Sequence, residues 1–104
     1  MEVIVRDNEL EKFIYSLQKQ TIAKVLRVAD LLEIFGNKLG MPHSKKITSQ
    51  LFELRIRGAQ EVRILYTFSS NKAVLLTGFL KKSKKTPRRE IERARHKLVQ
   101  VDSI

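Results

Sequence analysis

With 104 residues, 42% hydrophobic and 31% charged, the chain has the size and balance of one globular domain, not of a disordered or fibrous segment. It has no cysteine, which excludes disulfides, thiolate metal sites and cysteine nucleophiles, and no apolar run nears the roughly 18 residues of a membrane span. The net charge of +10 is lopsided: residues 1–36 hold five Lys/Arg against six Asp/Glu, and the rest of the chain holds sixteen against five.

The opening MEVIVRDNELEK is acidic and lacks a signal-peptide layout, so a cytoplasmic location is expected. Val3-Ile4-Val5, a β-branched run, reads as a short strand. Asn8 followed by Glu11 reads as a capping-box helix start, and Leu10, Phe13, Ile14 and Leu17 repeat as one apolar stripe. A second helix is predicted over Thr21–Phe35. Its apolar positions cover so much of the circumference that it should lie sandwiched between the first helix and a sheet. Gly36-Asn37 supplies the left-handed stop.

Residues 38–49 turn polar and read as a loop. The period then changes from 3.6 to 2. In 51–57, Phe52, Leu54 and Ile56 oppose Glu53, Arg55 and Arg57; in 61–68, Val62, Ile64, Tyr66 and Phe68 oppose Glu61, Arg63, Leu65 and Thr67. Gly58-Ala59-Gln60 joins the two as a three-residue hairpin loop. After a turn at Ser69-Ser70-Asn71, Ala73–Leu80 is a strand apolar enough for burial on both faces. Lys81–Lys85 is a basic connector at the sheet edge. Thr86-Pro87 then caps a last helix striped by Ile91, Ala94, Leu98 and Val101.

The hairpin register is the sharpest expectation. Keeping both apolar sets on one face, with Arg57 and Glu61 closing the loop, places Arg55 opposite Arg63 with Arg57 beside them. Like charges opposite one another destabilise a sheet unless something compensates. An anion would, and planar guanidinium forks bind phosphate bidentately. Pairing with Glu53 and Glu61 is the structural alternative. Lys81, Lys82, Lys84 and Lys85 lead into a helix N-terminus, and Arg88 and Arg89 occupy its first turn, where cations are unfavourable without a partner. The pattern points to a polyanion, of which nucleic acid is the commonest. Arg57, Lys81, Lys84, Lys85, Arg88 and Arg89 are therefore expected to bind RNA. His43 could accept a proton, although a lone loop histidine is more often inert. Two separated histidines with no carboxylate cluster offer no metal site, and no cofactor is expected.

The strings LFELRIRG, VRILYTF and AVLLTGFLKKSKKTPRREIERA, in this order, resemble the RelE/HigB superfamily of toxins, in particular its phage-derived HigB-like branch. The resemblance covers about residues 39–98. It implies an α+β, RelE-like fold over 1–104, with two N-terminal helices and a C-terminal helix packed on a small, mostly antiparallel sheet. It also implies a type II toxin–antitoxin component that cleaves messenger RNA on the ribosome. In such enzymes the 2′-hydroxyl attacks the adjacent phosphate without a metal, and a small helix-turn-helix antitoxin neutralises them. By position Arg63 matches the arginine held to stabilise the transition state. Arg55 matches a basic residue for phosphate contact or proton transfer, and Lys82 or Lys81 the basic residue after the last strand. Glu53 stands where RelE-type members carry a base, and no Tyr follows Tyr66. Glu53, His43 and the connector lysines thus share the open proton-transfer role. The rival readings are a ParE-like gyrase-inhibiting toxin and a non-catalytic RNA-binding module.

Overall fold

A computed structural model describes residues 1–101; positions 102–104 of the expected 1–104 domain lie outside the described residues. The elements are β1 (Glu2–Val5), α1 (Asn8–Tyr15), α2 (Lys19–Phe35), β2 (Ser44–Lys46), β3 (Phe52–Ile56), β4 (Val62–Ser69), β5 (Lys72–Leu80) and α3 (Arg88–Val101). They form an α+β fold around one sheet of order β1-β5-β4-β3-β2. Only β1 runs parallel to its neighbour; the other pairings are antiparallel.

The period-2 pattern decides which layer covers which face. Leu54, Ile56, Val62, Ile64 and Tyr66 share a core with Leu10, Ile14 and Leu17 on the α1 side and Val25, Val28 and Leu32 of α2. On the opposite face Leu65, Val74, Leu76 and Phe79 pack against Ala94 and Val101 of α3. Strand β5, lying between β1 and β4, is therefore buried on both faces, as its composition requires. Between Leu65 and Tyr66 the β4–β5 register slips by one, leaving Leu76 as an extra residue. The slip turns Gly78 toward α1, where an added Cβ would stand 2.7 Å from the Phe13 ring. Ser70 and Asn71, both at positive φ, close the β4–β5 hairpin in two residues.

Several expectations need correcting. The first helix is capped by Asp7, not Asn8: its carboxylate accepts the Leu10 N–H at 3.1 Å, so the charged acceptor one residue earlier takes the cap. The second helix starts at Lys19, and its outer face is open, with Leu26, Ile34 and Phe35 exposed. The supposed loop 38–49 contains β2, a polar strand that periodicity cannot reveal, pairing Ser44–Lys46 with Leu54–Phe52. The last hairpin pair is Ile56↔Val62, so the loop has five residues, and the Glu61 carboxylate folds inward to accept the Gly58 N–H. The lysine connector leaves β5, an interior strand in the sheet order, from the stretch that runs past its β1 neighbour. Thr86 does not cap the last helix, because its hydroxyl is drawn to Glu53, and α3 begins at Arg88 behind the Pro87 carbonyl.

Candidate functional site

The α3-side face of the sheet is divided. Helix α3 covers the apolar half on β4 and β5 and leaves the polar half, at the β3–β4 hairpin end, uncovered. Arg55 lies directly opposite Arg63, the register that alternation dictates. The connector passes this open half and closes a groove of about 490 Å3. Its walls are Arg55, Arg57 and Arg63 from the hairpin and Lys81, Lys82 and Lys84 from the connector, with Glu61 and Ser83. Six cations and one carboxylate thus surround one cleft, and their mutual repulsion favours an anion between them.

The cations differ in depth. Arg63 forms the floor at 2% exposure. Its guanidinium donates to the Val62 carbonyl at 2.9 Å and to Glu61 Oε1 at 3.3 Å, and its Nε lies 3.7 Å from Glu53 Oε1. The structural alternative is therefore realised for this residue: it is fixed by two carboxylates. Arg55 is not. It finds only the Met41 thioether, a weak acceptor, at 3.2 Å, and its buried Nε has no partner. Lys82 and Lys84 are exposed at the rim.

Glu53, at 2% exposure, lies beneath the groove and does not line it. One carboxylate oxygen accepts the Thr86 hydroxyl and the other faces Arg63, so Glu53 pins the start of α3 to the sheet and orients the floor arginine. Glu61 is held below the usual glutamate range, first by the Gly58 N–H and then by Arg63 and Arg57, against the opposing effect of burial. It stays ionised and is a weak base. Lys81 is the opposite case. Burial, with the nearby Arg63, Arg55 and Lys45 charges, pushes its ammonium below the ordinary lysine value, partly offset by Glu53. Its ammonium is thus held less tightly to its proton than an ordinary lysine's.

Other expected site residues lie elsewhere. His43 lines a separate groove on the α2 side, and its carbonyl accepts the Arg55 N–H at 2.8 Å. Lys85, Arg88 and Arg89 do not line the arginine groove, and Arg89 lies 3.8 Å from Glu90. The remaining α3 cations are committed to carboxylates: Arg93 to Glu9 and Glu90, Arg95 to Glu92, and Lys97 to Asp7 and Glu9. The basic field is thus narrower than the residue count suggests. Sequence reading missed Thr86 and undervalued Lys81; the shared face of positions 53, 55, 63 and 81 was the signal for the latter. Among the described residues no three His, Asp or Glu side chains gather as metal ligands.

Residues 12–99 match the family described as Phage derived protein Gp49-like (DUF891). The chain is also 35% identical over 75 residues to a protein of Mycobacterium tuberculosis (strain ATCC 25618 / H37Rv) named "Putative toxin HigB3". That alignment covers 67% of this chain and 65% of the relative, so the chain spans a little under two thirds of the relative's length.

Proposed function

The chain belongs to the Phage derived protein Gp49-like family, and on that footing we propose that it is the toxin of a toxin–antitoxin pair, a single RelE/HigB-like domain over 1–104 that cleaves messenger RNA on the ribosome. The observation that carries the proposal is the convergence of Arg55, Arg57, Arg63, Lys81, Lys82 and Lys84 on one groove. A single-stranded phosphodiester matches that charge, and ribosomal RNA offers a second polyanion to the exposed lysines. A cytoplasmic site of action and a small helix-turn-helix antitoxin as partner belong to the same reading.

The reaction is a transesterification without metal. The RNA 2′-hydroxyl gives up its proton to solvent as its oxygen bonds to the adjacent phosphorus, and the bond to the 5′-oxygen breaks, leaving a cyclic phosphate and a 5′-hydroxyl. Arg55 has unspent donors and takes the phosphate oxygens. Arg63, locked beneath, supplies a fixed positive charge where negative charge develops. Lys81 donates its proton to the departing 5′-oxygen from its place in the groove wall, a role favoured by the downward shift that burial gives its ammonium. Lys82, Lys84 and Arg57 hold flanking phosphates. Glu53 positions Arg63 and Thr86 and touches no substrate.

Induction of the chain in cells, followed by mapping of RNA 5′ ends, tests this. Wild type should create new 5′ ends within translated messages, and Arg55→Ala should lose them while still folding. DNA damage without new ends would replace the proposal with gyrase inhibition, and binding without arrest would replace it with a passive RNA-binding module.

A further inference from the structure

A second groove, of about 360 Å3, opens on the other side of β3 and has no role in the chemistry above. Val28 and Leu31 of α2, Pro42 and Ile56 give it an apolar floor. Its charged lining is entirely cationic: Lys24 and Arg27 from α2, with Arg55 and Arg57. Among the described residues no Asp or Glu lines it.

The two grooves are separate but share two side chains. Arg55 and Arg57 line both, because β2 stops pairing at Leu54 and leaves the margin of β3 open from there to the hairpin loop. The bond from the Arg55 N–H to the His43 carbonyl is the last on this margin, and it places His43 at the mouth of the second groove. The Arg55 guanidinium, held only by the Met41 thioether and with its Nε unpartnered, stands at the junction with donors to spare.

We propose that the second groove seats the nucleoside adjacent to the scissile phosphate, so that single-stranded RNA bends around the margin of β3. This assignment rests on the reading of the first groove as the RNA-cleaving site. The phosphates lie on Arg55 and Arg57, which bridge the grooves. The base lies on the apolar floor, beside two flat groups suited to stacking, the His43 imidazole and the Arg27 guanidinium. The volume falls within the range of pockets that hold a single small molecule. A cationic rim above an apolar floor would also suit an acidic peptide, but a peptide does not explain why the shared cations stand between the cavities.

Ribosomes carrying the full chain and a short messenger RNA blocked at the scissile 2′-hydroxyl by methylation test the assignment. The RNA carries 4-thiouridine on either side of that position in separate samples. One of the two should cross-link to the segment 42–43 or to α2 near Leu31. Arg27→Glu, which replaces the exposed stacking guanidinium, should lower that cross-link about tenfold. Cross-links confined to α3 or the connector, with Arg27→Glu indistinguishable from wild type while unblocked message is still cut, would overturn the inference and leave the cleavage reading standing. Cross-links in the groove from a wild type that never cuts would sustain the groove as a nucleoside site and remove the cleavage reading instead. Protection of Lys24 and Arg27 by an acidic antitoxin segment alone, with no RNA cross-link there, would overturn it in favour of a protein occupant.

Discussion

Removing the Arg63 charge should cost far more stability than removing Arg63 and Glu53 together. Both side chains are almost wholly buried, at 3% and 2% side-chain exposure, with Nε and Oε1 3.7 Å apart. Deleting one member of a buried ion pair leaves the other charge without compensation and typically costs about 3–5 kcal/mol. The lower end applies, because the pair is loose and Glu61 shares the guanidinium at 3.3 Å. Taking ~3 kcal/mol, and about 4–8 °C per kcal/mol for a domain of this size, Arg63→Met should lower Tm by roughly 12–24 °C. The double variant Glu53→Leu/Arg63→Met leaves no orphaned charge. It loses the acceptor of the Thr86 hydroxyl, worth about 1 kcal/mol, and so should melt within ~8 °C of wild type. Thermal and urea unfolding of the four proteins of this cycle give the coupling directly. If the two losses simply add, the pair is not what holds Arg63 in the floor.

Lys81→Arg keeps the positive charge but has no easily lost proton, so ribosome-dependent cleavage should fall about 10²- to 10⁴-fold with the salt dependence of binding unchanged; equal rates would remove Lys81 from proton transfer. Gly78→Ala places a methyl group 2.7 Å from the Phe13 ring and 3.0 Å from Leu10, and overpacking of this kind should cost about 1–3 kcal/mol in urea unfolding. Acid should weaken the tie between α1 and α3. Glu9 is lowered from 4.5, first by the Lys97 hydrogen bond, and Asp7 is lowered from 3.8 by Lys97 and the Leu10 N–H, against its burial. Carboxylates depressed in the folded state stabilise it above their unfolded values, and that stability disappears as pH falls through the folded ones. Unfolding free energy should therefore drop below about pH 4.5, and Lys97→Met should flatten that slope.

The parts of the fold that were legible in the sequence are those set by strict alternation. Phe52–Ile56 and Val62–Phe68 must each turn one apolar set to the same face, so the Arg55–Arg63 register followed without coordinates. The convergence of Arg57, Lys81, Lys82 and Lys84 on that pair followed in turn from where the connector leaves the sheet. Strand β2 was not legible, because Ser-Lys-Lys has no apolar period and is held by backbone pairing and the Ser44–Tyr66 hydroxyl pair at 2.6 Å. Neither was the long-range pairing of Arg93 and Lys97. Their partners Asp7 and Glu9 sit over eighty residues earlier in the chain, and nothing local announces that pairing. The face taken by His43 was not legible for a similar reason: a loop histidine can face either side of a sheet, and this one lines the groove on the α2 side.

The two borders of the sheet are blunted in different ways. At one side the short β2 displays Lys45 and Lys46. At the other, the edge strand β1 is only four residues long, and past its end the Leu76 carbonyl of β5 accepts from the Lys97 ammonium at 3.0 Å. An incoming strand from another copy would have to bury lysines at β2 or settle for a four-residue template at β1, and neighbouring copies of the same net charge would repel it. The layout that makes the molecule so basic thus also guards it against fibril-like stacking while it is crowded at high concentration.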